Sequence, residues 1–235
     1  MMNIKGYRIT NIKNNGKNVK RYTLKSSDGS ILDFKPGQFV NLYLKEEGKF
    51  TIFRQFSIAS HPGVGYLEFC IKIAPDGKFT APFDKLPLNA EVGVAGPFGH
   101  FVYAGQNKCA FIAAGTGIAP MLSMLRHIAE KKIPGDFTLL YTNKTKDGIL
   151  YHDELEELEK RYSSIRVIYT LTQEIPENWR GEKGRINPEM VKRYIAHPES
   201  CTWYFCGPVE FVKTIKDQAL NHGAQPHNIK IEGWG

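Results

Sequence analysis

Two short segments carry residue types and spacing suited to chemistry. The first is Gly115-Thr116-Gly117-Ile118-Ala119-Pro120, where an apolar run ends and a helical pattern begins. Glycines at a strand-to-helix turn let the backbone approach a ligand closely. The first helix amides then meet that ligand with the positive end of the dipole. A pyrophosphate suits such a turn. The pattern is shorter than a full Gly-x-Gly-x-x-Gly, and it equally serves a tight β–α connection. The second segment is Arg54-Gln55-Phe56-Ser57. Arg54 can pair with a phosphate, Phe56 can stack on a planar ring, and Ser57 can hydrogen-bond a ring nitrogen. Taken alone, the same four residues describe an alternating strand with a surface arginine.

The elements that must position these segments follow from periodicity. Short alternating or apolar runs recur at 7–12, 19–24, 38–44, 53–59, 66–73 and 91–95. Turn signals such as Asn14-Asn15-Gly16, Lys35-Pro36-Gly37 and His61-Pro62-Gly63 separate them. Many short strands with regular turns predict an antiparallel barrel or sandwich. One short helix is expected over 81–86, with Thr80 as its N-cap. After residues 104–107 the rhythm becomes strand–helix alternation. Strands are expected at 109–113, 137–141, 166–171, 202–206 and 228–231. Helices are expected at 118–129, 151–162, 188–195 and 209–220. The first helix would bury one face (Ile118, Met121, Leu122, Leu125, Ile128 and Ala129), and the second a stripe of Tyr151, Leu155, Leu158 and Tyr162. Alternation of this kind predicts a parallel sheet with helices on both faces. The chain therefore divides into an all-β domain, 1–104, and an α/β domain of the kind that often binds nucleotides, 105–235.

Length and composition agree with two ordinary domains. The chain has 235 residues, 42% hydrophobic and 23% charged, which argues against disorder, collagen and coiled coil. The longest apolar run, Cys109–Ala114, is far below the roughly 20 residues a membrane span needs. The opening MMNIKGYRIT has no apolar leader core, so a cytoplasmic protein is expected. Cys70, Cys109, Cys201 and Cys206 form no Cys-x-x-Cys pair, which speaks against a zinc or iron–sulfur framework. The net charge of +7 suits an acidic partner, a phosphorylated ligand or plain solubility. A basic nucleic-acid binder would need a recognition motif or an interleaved aromatic–basic stripe, and neither is present.

Taken in order, the motifs resemble those of the ferredoxin–NADP reductase superfamily. Its Arg-x-Tyr-Ser/Thr, Gly-Pro-x-Gly, Gly-Thr-Gly-x-Ala-Pro and Cys-Gly-Pro appear as Arg54-Gln55-Phe56-Ser57, Gly96-Pro97-Phe98-Gly99, Gly115–Pro120 and Cys206-Gly207-Pro208. Trp179-Arg180-Gly181 and Gly184-Arg185-Ile186 resemble the family's late loop. The resemblance implies a six-stranded antiparallel flavin barrel followed by a pyridine-nucleotide domain. It implies bound FAD and NAD(P)H as co-substrate. By the same resemblance Arg54 binds flavin phosphate, Phe56 packs on the flavin, and Ser57 reaches its N5 region, with Gln55 between them. Phe56 departs from the family's usual Tyr, keeping the stacking surface and losing a phenol. Ile71-Lys72-Ile73 and Gly77-Lys78-Phe79-Thr80 resemble the next flavin segment.

In the second domain Gly115, Thr116 and Gly117 would bind the dinucleotide pyrophosphate. Cys206, Gly207 and Pro208 would lie beside the nicotinamide. Without the resemblance Cys206 reads as a small buried residue. The ending Ile231-Glu232-Gly233-Trp234-Gly235 resembles the family's acidic residue followed by an aromatic. Trp234 would cover the flavin, and Glu232, Cys206 and Ser57 would form the polar set around hydride transfer. Read without the family, this ending is an ordinary mobile terminus. With Trp234 stacked over the flavin as the resemblance implies, removing Trp234-Gly235 should tighten nicotinamide binding. A 2′-phosphate would lie near Asn143, Lys144, Lys146, Thr172 and Gln173, and the choice between NADH and NADPH stays open.

Reduced flavin would pass electrons to a separate acceptor: an acidic ferredoxin, a flavodoxin or an oxygenase component. Lys13, Lys17, Lys20 and Arg21 form one basic stretch suited to such a partner, and Lys131-Lys132 another. Both also read as solvated faces. Two alternatives are a reductase of free flavin and an electron-transfer subunit of a larger complex.

Overall fold

The computed structural model describes residues 3–234, so the expectations that rest on Met1, Met2 and Gly235 lie outside the described residues. The chain forms two compact units. One holds the residues up to Val102 together with Leu122–His127. The other holds Tyr103–Met121 and everything from Ile128 on.

The first unit is an antiparallel sheet of β1 (Lys5–Asn14), β2 (Val19–Ser26), β3 (Phe39–Glu46), β4 (Lys49–Ser57), β5 (Leu67–Lys72) and β6 (Glu91–Phe98). Their order is β4-β3-β6-β1-β2-β5. The end strands β4 and β5 touch, and just beyond β4 the Ala59 amide donates to the Glu68 carbonyl of β5 at 2.8 Å. The sheet therefore curls around one core. Tyr7, Ile9, Tyr22, Leu24, Leu42, Phe69, Phe79 and Phe83 fill it. Alternation along β1 puts Tyr7 and Ile9 inside with Arg8 and Thr10 outside. A register shift between Ile9 and Asn11 then makes Ile12 the next residue packed on the core. One extra residue reverses the parity of everything after it. β4 begins at Lys49, four residues before the expected start, because its polar and exposed first half pairs with β3.

Helix α1 (Thr80–Asp84) is one turn long, and its N-cap position is Phe79, which makes no side-chain cap. Thr80 is therefore not the cap. Its hydroxyl folds back and accepts from the Ala74 amide at 3.2 Å. The far end of α1 is tied to β2. The Tyr22 hydroxyl donates to Asp84 at 2.6 Å, and Lys20 pairs with the same carboxylate at 2.6 Å. Arg21 pairs with Glu68 at 3.2 Å. Two of the four cations in the first basic stretch are thus engaged inside the unit.

The second unit is a parallel sheet of β7 (Lys108–Ala114), β8 (Asp136–Asn143), β9 (Ile165–Leu171), β10 (Glu182–Lys183), β11 (Thr202–Pro208) and β12 (Ile229–Trp234), in the order β10-β9-β8-β7-β11-β12. Its central strands are buried almost end to end, as strands covered on both faces must be. The helices that follow in the chain are α2 (Ile118–Glu130), whose stretch Leu122–His127 is counted with the first unit, α3 (His152–Arg161), α4 (Pro188–Tyr194) and α5 (Val209–Asn221). α2 is covered nearly all round, since Ala119, Ser123 and Met124 are buried along with the expected face. Tyr151 does not open α3. It sits before the helix at φ 58°, and of the expected stripe only Tyr151 and Leu155 are buried. β12 runs to Trp234, paired with β11 from Trp203–Ile229 to Pro208–Trp234, so the ending is a full strand.

Burial raises the Asp84 carboxyl, but hydrogen bonds from Lys20 and Tyr22 outweigh this and hold it below its ordinary value of 3.8. A depressed carboxyl stabilises the fold above its unfolded value and loses that stabilisation as pH falls. Tyr22→Phe should therefore cost about 2 kcal/mol at neutral pH. The deficit should shrink as the pH is taken down through the carboxylate range. Urea unfolding at neutral and acid pH measures both.

Candidate functional site

In the first unit, the sheet brings together two segments far apart in sequence. Phe56 on β4 meets Phe79 with ring centroids 5.6 Å apart, and Phe79 stacks on Phe83 at 5.2 Å. The 54–57 strand is thereby set beside the 77–80 turn. Arg54 and Gln55 are exposed, and Phe56 and Ser57 are half-buried. Lys72 and Lys78 are exposed, and Ile73 is half-buried. Ile71 and Phe79 direct their side chains into the core and offer a ligand only their main chain.

Gly77 is required by its neighbour. A Cβ there would lie 2.4 Å from Thr80 Oγ1, the atom that folds back to Ala74. With that turn closed, the amides of Lys78, Phe79 and Thr80 have no acceptor among the described residues. Three such donors, with Lys72 and Lys78 exposed nearby in the chain and Arg54 exposed on β4, fit the phosphates of a flavin nucleotide.

In the second unit, the carboxyl ends of β7, β8, β9, β11 and β12 share one edge, where ligands bind in such sheets. The turn after β7 is Gly115–Gly117, leading straight into α2. Gly115 adopts φ 53° with open space where a Cβ would stand. Gly117 is a glycine for a different reason. A Cβ there would lie 2.3 Å from the Cys206 carbonyl oxygen and 2.9 Å from the Trp234 indole. Gly207 likewise leaves room for Ala114 and Phe211. The glycine turn, Cys206-Gly207-Pro208 and Trp234 therefore form one group. The amide of Thr116 has no acceptor among the described residues.

Cys206 is fully buried. Burial, with the Glu232 charge added, pushes its thiol well above the ordinary value, so it stays protonated at neutral pH. Glu232 is half-buried and stands opposite Cys206 in the β11–β12 register. Trp234 is 40% exposed, and its ring rests on the glycine turn.

Along the same edge, Thr142 Oγ1 and Asn143 Nδ2 are buried without a hydrogen-bond partner among the described residues. Beyond them Thr145, Lys146, Asp147, Glu174, Ile175 and Pro176 line an open cleft of about 320 Å³. Of the residues expected around a 2′-phosphate, only Lys146 lines it. The cleft's two carboxylates, Asp147 and Glu174, were not foreseen, since charged loop residues carry no periodic signal. Unpartnered buried polar atoms beside a cleft fit the sugar and base of a nucleotide.

The chain matches the oxidoreductase FAD-binding domain over residues 7–103 and the oxidoreductase NAD-binding domain over residues 111–217. It belongs to the ferredoxin–NADP reductase superfamily. Among curated relatives it is 31% identical over 196 residues to NADH-cytochrome b5 reductase 1 of Mortierella alpina, covering 80% of this chain and 64% of that protein. It is 28% identical over 222 residues to the glycine betaine monooxygenase reductase subunit of Pseudomonas aeruginosa, covering 92% and 60%. The chain thus spans somewhat more than half the length of the curated relatives it matches. In fold it resembles the FAD/NAD-binding domain of nitric oxide dioxygenase from Vibrio cholerae, with TM-score 0.88, 21% identity and 98% of each chain covered. A ferredoxin NADP+ reductase from Neisseria gonorrhoeae with bound FAD and NADP aligns with TM-score 0.84 at 22% identity, covering 98% of each chain.

The superfamily's two cofactors, FAD and a nicotinamide dinucleotide, correspond to the two domains matched. The departure at Phe56 has a structural setting. Its ring packs on Phe79 within an aromatic row, a contact that a phenylalanine makes without a phenol.

The two glycines should respond differently to alanine. Gly117→Ala forces a methyl against a backbone carbonyl and should cost about 1–3 kcal/mol. Gly115→Ala meets only the left-handed backbone penalty of about 1–2 kcal/mol. Thermal unfolding should rank Gly117→Ala as the more damaging, with the larger loss of nucleotide affinity.

Proposed function

We propose that the chain is a flavoprotein reductase taking electrons from NADH through bound FAD to a separate one-electron acceptor. One observation carries this reading. Each unit presents backbone amides without acceptors at a turn suited to a phosphate: Lys78, Phe79 and Thr80 in the first, and Thr116 in the glycine turn of the second.

In this reading Arg54 and the 78–80 amides hold the FAD phosphates. Phe56 packs against the flavin ring, Ser57 offers a hydroxyl to it, and Gln55, Ile71, Lys72, Ile73 and Gly77 shape the surrounding main chain. Gly115, Thr116 and Gly117 hold the dinucleotide pyrophosphate. Cys206, Gly207 and Pro208 flank the nicotinamide, with Glu232 opposite Cys206 as a further polar group of that domain. Bound FAD supplies two-electron exchange with nicotinamide and one-electron exchange with the acceptor. The protein's part is to orient the rings and exclude water. A protonated, buried Cys206 serves as a neutral, polarisable neighbour and not as a base.

NADH is favoured over NADPH on two grounds. Curated relatives at 30–32% identity are named NADH-cytochrome b5 reductases. The cleft carboxylates Asp147 and Glu174 suit a ribose hydroxyl better than a 2′-phosphate. The acceptor is read from the same relatives as a protein, an oxygenase component or a cytochrome, with ferredoxin and flavodoxin as further members of that class. No helix among the described residues is long and apolar enough to cross a membrane. We place the reductase in the cytoplasm.

The purified protein should be yellow, and anaerobic NADH should bleach its flavin bands faster than equal NADPH. A colourless protein that reduces added flavin would instead make FAD a substrate. Trp234→Ala should free the glycine turn and lower the dissociation constant for NAD+ several-fold, as read by calorimetry. An unchanged constant would remove Trp234 from the nucleotide's path.

A further inference from the structure

Tyr141 lies on β8 and is fully buried. Its hydroxyl donates to the Gly115 carbonyl at 2.8 Å and accepts from the Leu150 amide at 3.3 Å. The same carbonyl also receives the Ile118 amide at the start of α2. We propose that Tyr141 is a positioning residue for the dinucleotide, acting through the orientation of the peptide between Gly115 and Thr116.

The argument is one of peptide geometry. The Gly115–Thr116 bond is trans, since the cis bond in the structure is Gly96–Pro97. In a trans peptide the N–H points opposite to the C=O. With the Gly115 carbonyl held on Tyr141, the Thr116 N–H must point away from Tyr141. That amide has no acceptor among the described residues. Gly115 at φ 53° has no side chain to hold this plane, and glycine moves readily between backbone regions. The Tyr141 hydroxyl supplies the restraint that the residue itself lacks.

Its second bond reaches Leu150, at the end of the loop whose residues Thr145, Lys146 and Asp147 line the cleft. One hydroxyl therefore connects the turn for the pyrophosphate with the loop for the nucleoside. This inference rests on the proposed nucleotide role of the second unit.

The test compares the full-length holoprotein with Tyr141→Phe and with Tyr204→Phe. Tyr204 is an internal control: it is equally buried on β11, and its hydroxyl receives no role at the turn, bonding the Gln106 side chain at 3.0 Å. ADP-ribose is the probe, titrated by calorimetry, with NADH kinetics alongside. Tyr141→Phe should weaken ADP-ribose about five-fold, the size of one lost hydrogen bond. It should raise KM for NADH by a similar factor while kcat and FAD content stay within two-fold. Tyr204→Phe should leave both constants unchanged. Placing 4-aminophenylalanine at 141, which returns a donor to the same position, should restore affinity.

Unchanged ADP-ribose affinity in Tyr141→Phe overturns the inference, as does an equal loss in Tyr204→Phe, which would mark general loosening. Failure of the unaltered protein to bind ADP-ribose or NADH overturns the nucleotide reading itself. A Tyr141→Phe protein that loses cooperative unfolding, with no rescue by the amino variant, assigns Tyr141 a structural role only.

Discussion

The second unit depends on a backbone contact that leaves no room for a side chain. Gly117 lies against the Cys206 carbonyl so closely that a Cβ would stand 2.3 Å from the oxygen. That approach brings the start of α2 down onto the end of β11. From it follow the exposed amide of the turn, the place of Gly207 beside Ala114, and the surface on which Trp234 rests. A parallel sheet offers a ligand-binding edge in any case. Here the edge becomes a defined site because two glycines do different work, one through its backbone angle and the other through the absence of a methyl.

The corresponding constraint in the first unit is aromatic. Phe56, Phe79 and Phe83 form a row that continues to Tyr22, 4.9 Å from Phe83. Tyr22 then holds Asp84, so strands β2 and β4 and the one-turn helix share one set of contacts. A helix of five residues cannot stand on its own propensity. Its position comes from this packing, and the free amides before it are held by the same contacts.

Patterns that depend on neighbours in sequence were legible. The alternation of Tyr7 and Ile9, the apolar strand from Cys109 and the Gly-Thr-Gly turn all sit where periodicity placed them. What escaped depends on neighbours in space. Thr80 has the chemistry of a cap, yet Ala74 claims its hydroxyl across the turn. Tyr151 continues a helical stripe in sequence but turns to φ 58° ahead of the helix. β10 is two residues long and exists only because it pairs with β9. Tyr141 reads as one more apolar residue of a buried strand, and its hydroxyl partners lie 26 and 9 residues away.

Charge shows the same division. The basic stretch at 13–21 reads as a single surface, but Lys20 and Arg21 are tied to Asp84 and Glu68, leaving Lys13 and Lys17 as its outward cations. A net charge of +7 is therefore not a measure of the field a partner meets. Exposed charges steer association within roughly a Debye length, about 8 Å at physiological salt, while paired ones largely cancel. An acidic acceptor would be guided by exposed, unpaired cations and not by the paired ones. Its docking should thus be fast but salt-sensitive, with little of the binding energy residing in charge.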